Sequence, residues 1–421
     1  MRTKTLSIAV ALSFAIFTIG ACAFAQEKVL YNFGGLPQRS VAPSGQLLFD
    51  AFGNLYGTAG GGTDSAGTVF ELVRGSGGVW RETILHSFAS DGVDGEVPSG
   101  ESLIFDSAGN LYGTTTEGGA HNVGTVFELS PPVPPATQWT ENVLYDFLPS
   151  PDDGQKPFAG LVMDAAGNLY GTTIFGGRGA DGTVFELAPN SDGSWTESIL
   201  HEFKGPDGYL PMSTLALDSA GNLYGTTSAG GAKSEGTVFE LSPSGGGKWS
   251  ETVLYSFLDF PTDGYSPSGG VIRDSAGNLY GVTANGGLGQ GGTVYQLSQS
   301  SNGSWSKKTL YAFAYRNKSD GTNPTGNLVL DSAGNLYGTT SAGDSQTCRT
   351  VPGCGMVFEL KPTVSGWVER ILHSFVDNGV DGYSPAGLIL DPAGNLYGST
   401  PFGGKFGGAK DPGGTVFEIR H

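Results

Sequence analysis

Gly53-Asn54-Leu55-Tyr56-Gly57 is one of seven copies of the same five residues, and these copies order the whole chain. The others begin at Gly109, Gly167, Gly221, Gly277, Gly334 and Gly394, at spacings of 54 to 60 residues. A near-constant period of this length marks a repeat architecture, in which each unit buries its apolar face against its neighbours. It also accounts for the length. A chain of 421 residues exceeds one ordinary core, yet no linker divides it.

Each unit reads as four strands, A to D, exemplified by 103–106 (LIFD), 110–115 (NLYGTT), 124–129 (GTVFEL) and 139–147 (WTENVLYDF). Their β-branched and aromatic residues, bounded by Gly, Asn, Asp and Pro, are strand signals. Seventy glycines without a Gly-X-Y period, among recurring apolar runs, exclude collagen and disorder and fit many short strands joined by tight turns. The strand count decides the architecture. A lone D-like strand, 29–33 (VLYNF), opens the chain, which stops at a C strand, 414–419 (GTVFEI). An open solenoid needs polar caps, whereas a ring needs its ends to meet in one blade. The expectation is all-β: a seven-bladed β-propeller of 28 strands, closed by the N-terminal strand pairing in the last blade.

Residues repeated in every unit have mechanical readings. The Asp ending each A strand (Asp50, Asp106, Asp164, Asp218, Asp274, Asp331, Asp391) is placed to accept backbone N–H bonds across the turn, with Gly-Asn at positive φ. All six tryptophans, Trp80, Trp139, Trp195, Trp249, Trp305 and Trp367, open D strands and are expected to pack against the adjoining blade. Only the N-terminal D strand lacks one.

The combined GNLYGTT…GG…GTVFEL pattern, as in 106–129 (DSAGNLYGTTTEGGAHNVGTVFEL), resembles the GloVer repeat, named after Gloeobacter and Verrucomicrobia. The likeness runs over about residues 29–421. It implies an exported bacterial protein and no established catalytic activity. Members of the family resemble proteins with varied C-terminal anchors, whereas this chain ends in Phe417-Glu418-Ile419-Arg420-His421. Surface retention would then rest on Cys22, or the protein is released.

The N-terminus reads independently as an export signal. Arg2 and Lys4 precede an apolar stretch from Leu6 to Ala21, and Ala23-Phe24-Ala25 offers a cleavage site before Gln26. This divides the chain into a signal peptide, 1–25, and one propeller domain, 26–421. The competing reading is a lipoprotein signal, with Cys22 lipidated. No later run approaches a membrane span. The net charge of −18 argues against nucleic acid and anionic membrane as partners. The remaining cysteines, Cys348 and Cys354, are expected to form a local disulfide in an exported protein. A monomer is expected.

Candidate sites lie on the face shared by the B–C and D–A connections. The D–A connection carries Asp-Gly-x-x-Pro in six units, with Asp94, Asp153, Asp207, Asp263, Asp320 and Asp381. Six carboxylates around a central channel would suit Ca²⁺ or a cationic or hydroxyl-rich ligand, and the same motif also reads as a structural turn capped by its Asp. In three turns the next residue is aromatic, Tyr209, Tyr265 and Tyr383, which suits stacking on a sugar or packing between blades. The B–C loops vary at His121, Arg178, Lys233, Gln290 and Lys405, where any specificity is expected. No spacing marks a catalytic constellation or a metal triad, and His86, His201 and His373 occupy a D-strand position held elsewhere by Tyr. The readings are a non-catalytic surface-binding scaffold for carbohydrate or another extracellular protein, a polysaccharide-active lyase or hydrolase, and a structural envelope protein.

Overall fold

A computed structural model describes residues 25–35, 39–258, 263–315, 320–343, 348, 353–408 and 412–421. The expected signal segment before Ala25, with Cys22, and Asp411 in the seventh blade's B–C loop lie outside the described residues. The chain forms seven four-stranded antiparallel blades, each running A to D from the axis outward. Blade one is Ser40–Phe49, Leu55–Gly61, Thr68–Arg74 and Trp80–Ser87. In the last blade the N-terminal strand Gln26–Asn32 pairs with Thr415–Arg420, beside Leu396–Thr400 and Ala386–Leu390. The first and last strands therefore close the ring, as the strand count requires.

The GNLYG motif makes each A–B turn. In blade two, Asp106 Oδ1 accepts the N–H groups of Ala108 and Asn110, both at 2.8 Å, and Oδ2 accepts Asn110 Nδ2 at 2.8 Å. Burial pushes the Asp106 carboxyl up, but these bonds outweigh it and hold it below the usual range. Gly109 adopts φ +88°, whereas the motif's Asn does not take positive φ and acts through its side chain instead. The motif's last glycine answers to a close approach: a Cβ on Gly113 would sit 2.6 Å from Phe127 Cζ.

The motif's tyrosine ties three elements together. Tyr112 donates towards Asp106 and Glu128, joining the turn to strand C, and its ring meets Trp195 of blade three at 6.3 Å. Tyr170–Trp249 and Tyr280–Trp367 repeat the contact, so each tryptophan packs on the tyrosine of the blade before it. Deeper in each seam, the phenylalanine ending strand D meets the ring on strand C of the following blade. Phe33–Phe70, Phe88–Phe127 and Phe375–Phe417 are examples, with centroids 4.9 to 5.2 Å apart. The core thus lies between blades, and each edge-to-face pair contributes about 0.5–1.5 kcal/mol beyond area burial.

Candidate functional site in the axial cavity

Pairing of Gly95 with Gly118, Gly321 with Gly343 and Gly382 with Gly403 brings the D–A and B–C connections together on one face. The six repeated Asp residues do not line the axis. Each lies in a seam, closing its D–A loop onto the D strand. Asp153 accepts Tyr145 Oη–H, Leu148 N–H and Gly154 N–H, at 3.0, 2.8 and 2.6 Å. Asp94 accepts Ala89 and Gly95 N–H and meets His86 Nε2 at 3.0 Å. Asp207 and Asp381 meet His201 and His373, and Asp320 meets Tyr311. Asp263 takes Tyr255 and is ion-paired to Lys307.

These surroundings set the carboxyls differently. Burial raises Asp153 despite its bonds. At Asp263 burial acts upward too, but the Lys307 ammonium and the Leu258 N–H outweigh it and the carboxyl is lowered.

The three turn tyrosines also sit within the frame. Tyr383 is buried and stacks on Phe402, with centroids 5.4 Å apart. Tyr209 and Tyr265 are partly buried, in backbone pairs with Ala229 and Asn285. Among the variable B–C loops, His121 meets Asp146 at 3.2 Å and Arg178 meets Asp152 at 3.2 Å. In blade six, Cys348 and Cys354 are disulfide-bonded.

The axis itself holds a cavity of about 410 Å³, to which all seven blades contribute. Much of its lining follows the repeated prolines, with Ser266 and Pro267 and the residues Thr226, Ser228 and Ala284 completing it. Position one after Pro is Phe158 in blade three, Met212 in blade four, Ser268 in blade five and Thr325 in blade six; position three is Gln46 in blade one, Glu101 in blade two and Asn327 in blade six. Small residues here let neighbouring inner strands touch, and several polar groups cross-link them. Gln46 Nε2 donates to the Leu388 carbonyl at 2.7 Å, and Asn327 Oδ1 accepts the Gly270 N–H at 2.7 Å.

Among the described residues Glu101 is the one charged residue in the lining, and burial alone pushes its carboxyl up to about 7. It was not singled out in the sequence. The available signal was that positions after the invariant proline differ from unit to unit while their flanks repeat.

Among the described residues no helix is long and apolar enough to cross a membrane. No curated protein matches the chain. Among solved structures, it is similar to the extracellular domain of BT4673 from B. thetaiotaomicron, at 11% identity and TM-score 0.50, over 92% of this chain and 40% of that one. It is also similar to a Dyadobacter fermentans protein of unknown function, at 12% identity and TM-score 0.44, over 94% and 100%. A third likeness is to a Xanthomonas campestris gluconolactonase, at 14% identity and TM-score 0.41, over 77% and 84%. At such identities the likeness concerns the fold alone. The Gloeobacter/Verrucomicrobia repeat model matches residues 15–164 and 160–405, so the chain belongs to that repeat family.

Proposed function

We propose that this propeller is an exported, non-catalytic binding scaffold that takes a small hydroxyl-rich ligand, a carbohydrate end or unit, in its axial cavity. The observation that carries the reading is the asymmetry of that cavity, where a single carboxyl, Glu101, faces hydroxyl and amide groups and the apolar Phe158 and Met212. Its volume of about 410 Å³ lies within the range of small-molecule sites, about 300–1,000 Å³. A flat apolar surface beside hydrogen-bonding groups is the combination a sugar ring needs. In this reading Asp94, Asp153, Asp207, Asp263, Asp320 and Asp381, with Tyr209, Tyr265 and Tyr383, hold the strands that carry the ligand-facing residues. Export is inferred from the N-terminal segment and from the Cys348–Cys354 bond, which belongs to an oxidising compartment.

Glu101 also gives the polysaccharide-active reading its only foothold, since a carboxyl near 7 is poised for proton transfer. Glycoside hydrolysis ordinarily takes two carboxyls about 5–10 Å apart, and no second acid lines the cavity among the described residues. A thermal-shift panel of soluble oligo- and polysaccharides, followed by reducing-end assays on any hit, separates the readings. A shift without depolymerisation supports binding. Depolymerisation that disappears in Glu101→Gln establishes an enzyme, and no shift with any glycan contradicts the carbohydrate assignment.

A further inference from the structure

The seams carry a second chemistry, built by three elements that no sequence motif joins. Two residues after each D-strand tryptophan stands Glu82, Glu141, Glu197, Glu251, Lys307 or Glu369, and the N-terminal strand supplies Glu27 at the same register. This residue reaches back to the preceding blade's His or Tyr and to its D–A loop.

Among the described residues, two of the seven seams hold a cation there. Lys307 pairs with Asp263, and Arg39, where the other loops carry Asp, pairs with Glu82 at 3.4 Å. In four others an Asp and a Glu face the same seam with no such side chain between them among the described residues, and three of these also hold a histidine: His86, His201 or His373.

Two of the histidine seams are drawn tight. Glu27, His373 and Asp381 each bring one ligand atom within 4.8 Å of the others, and so do His201, Asp207 and Glu251. His373 Nε2 lies 3.0 Å and His201 Nε2 3.1 Å from its Asp Oδ2. Three further acceptors in these triads are orphaned, whereas Asp207 Oδ1 accepts the Lys204 N–H. Asp381 is 6% exposed and its Oδ1 has no partner. Glu27 Oε1 and Glu251 Oε1 are also buried and unpartnered. Buried carboxylate oxygens without a partner are costly. In the Lys307 and Arg39 seams a cation offsets the carboxylate charge, although Glu82 Oε1 stays unpartnered beside Arg39.

We propose that Glu27–His373–Asp381 and His201–Asp207–Glu251 are binding sites for a divalent transition metal of the Zn²⁺ or Mn²⁺ class. One imidazole with two carboxylates is a donor set that suits these ions better than Mg²⁺ or Ca²⁺, which favour all-oxygen shells. The ion takes the place of the proton between the histidine nitrogen and the aspartate, and binding releases protons. The first site has a structural consequence. Glu27 belongs to the closing strand, while His373 and Asp381 belong to blade six and its outgoing loop, so the ion clips the N-terminal strand to the neighbouring blade. Metal binding would lock the ring.

The test is isothermal titration of chelator-stripped protein with ZnCl₂ and with MnCl₂, alongside melting curves. Two ions per chain are expected, with a melting temperature that rises as free metal rises. Glu27→Gln and Glu251→Gln should each reduce the stoichiometry to one, and the double variant should abolish the melting shift. Both remove a carboxylate that faces another, so their metal-free forms fold. Glu369→Gln, in a seam with Tyr311 in place of histidine, should retain two ions. Absence of binding by the parent protein overturns the proposal, as does a stoichiometry unchanged in the double variant.

Discussion

His421 lies against Tyr337, with ring centroids 5.1 Å apart and Nε2 3.0 Å from Tyr337 Oη. Every other GNLYG tyrosine packs with a tryptophan from the following blade. Blade seven has none to offer, because its D strand is the N-terminal one and Ala25 stands at that register. The closing blade thus fills the vacant aromatic position from its C strand. His421→Ala should destabilise the ring by about 1 kcal/mol, and His421→Trp should restore or exceed the parent stability. Denaturant melts of the three proteins check this.

The two glycines of GNLYG should fail for different reasons. Gly109→Ala meets open space but retains φ +88°, a conformation costing about 1–2 kcal/mol for an L-residue. Gly113→Ala drives a Cβ to within 2.6 Å of Phe127 in a packed seam and should cost about 1–3 kcal/mol. Combining Gly113→Ala with Phe127→Leu should recover part of the loss, whereas combining Gly109→Ala with it should not. Equilibrium unfolding of the singles and doubles measures the coupling.

Much of this was legible in advance. The period, the strand count and the split last blade dictate a closed seven-bladed ring, and the Asp of each A–B turn binds as its spacing indicates. The roles of Asp94 and its five equivalents were harder to place. Their carboxylates face the seams because the D-strand His or Tyr and the loop N–H groups lie there, and sequence gives no radial distance from the axis. Glu101 was hidden for the same reason. It stands in a short polar run, and only ring closure makes that run the wall of a cavity. The triad of Glu27, His373 and Asp381 joins the N-terminal strand to blade six, more than 340 residues away, so no spacing reveals it.

Stability should fall as pH rises towards neutrality. Burial first, then the neighbouring Asp153 or Asp320, raises Glu197 and Glu369 to about 7, and burial alone does the same for Glu101. A carboxyl raised in the folded state favours folding below its unfolded value of 4.5, and this contribution is lost as pH climbs through about 7. Melting temperatures of metal-free protein should therefore decline between pH 5 and 8. Glu197→Gln with Glu369→Gln should flatten that decline, and an unchanged slope would contradict the assignment.

Reducing the Cys348–Cys354 bond, or replacing both residues with serine, should cost about 2 kcal/mol or less by the loop-closure estimate. The bond lies within one B–C loop, so the ring should stay closed. Circular dichroism with and without reductant should show a lower melting temperature and an unchanged strand signature.

In the proposed function the ligand sits on the axis. The most direct measurement is calorimetric affinity for the best glycan of the panel, compared across Glu101→Gln, Phe158→Ala and Asp153→Asn. The expected result is a loss of about tenfold or more in the first two, the worth of a charge-assisted hydrogen bond or a lost ring contact, with Asp153→Asn near the parent value where it folds. Affinity that survives both axial substitutions but vanishes in Asp153→Asn would contradict the claim and move the site to the seams.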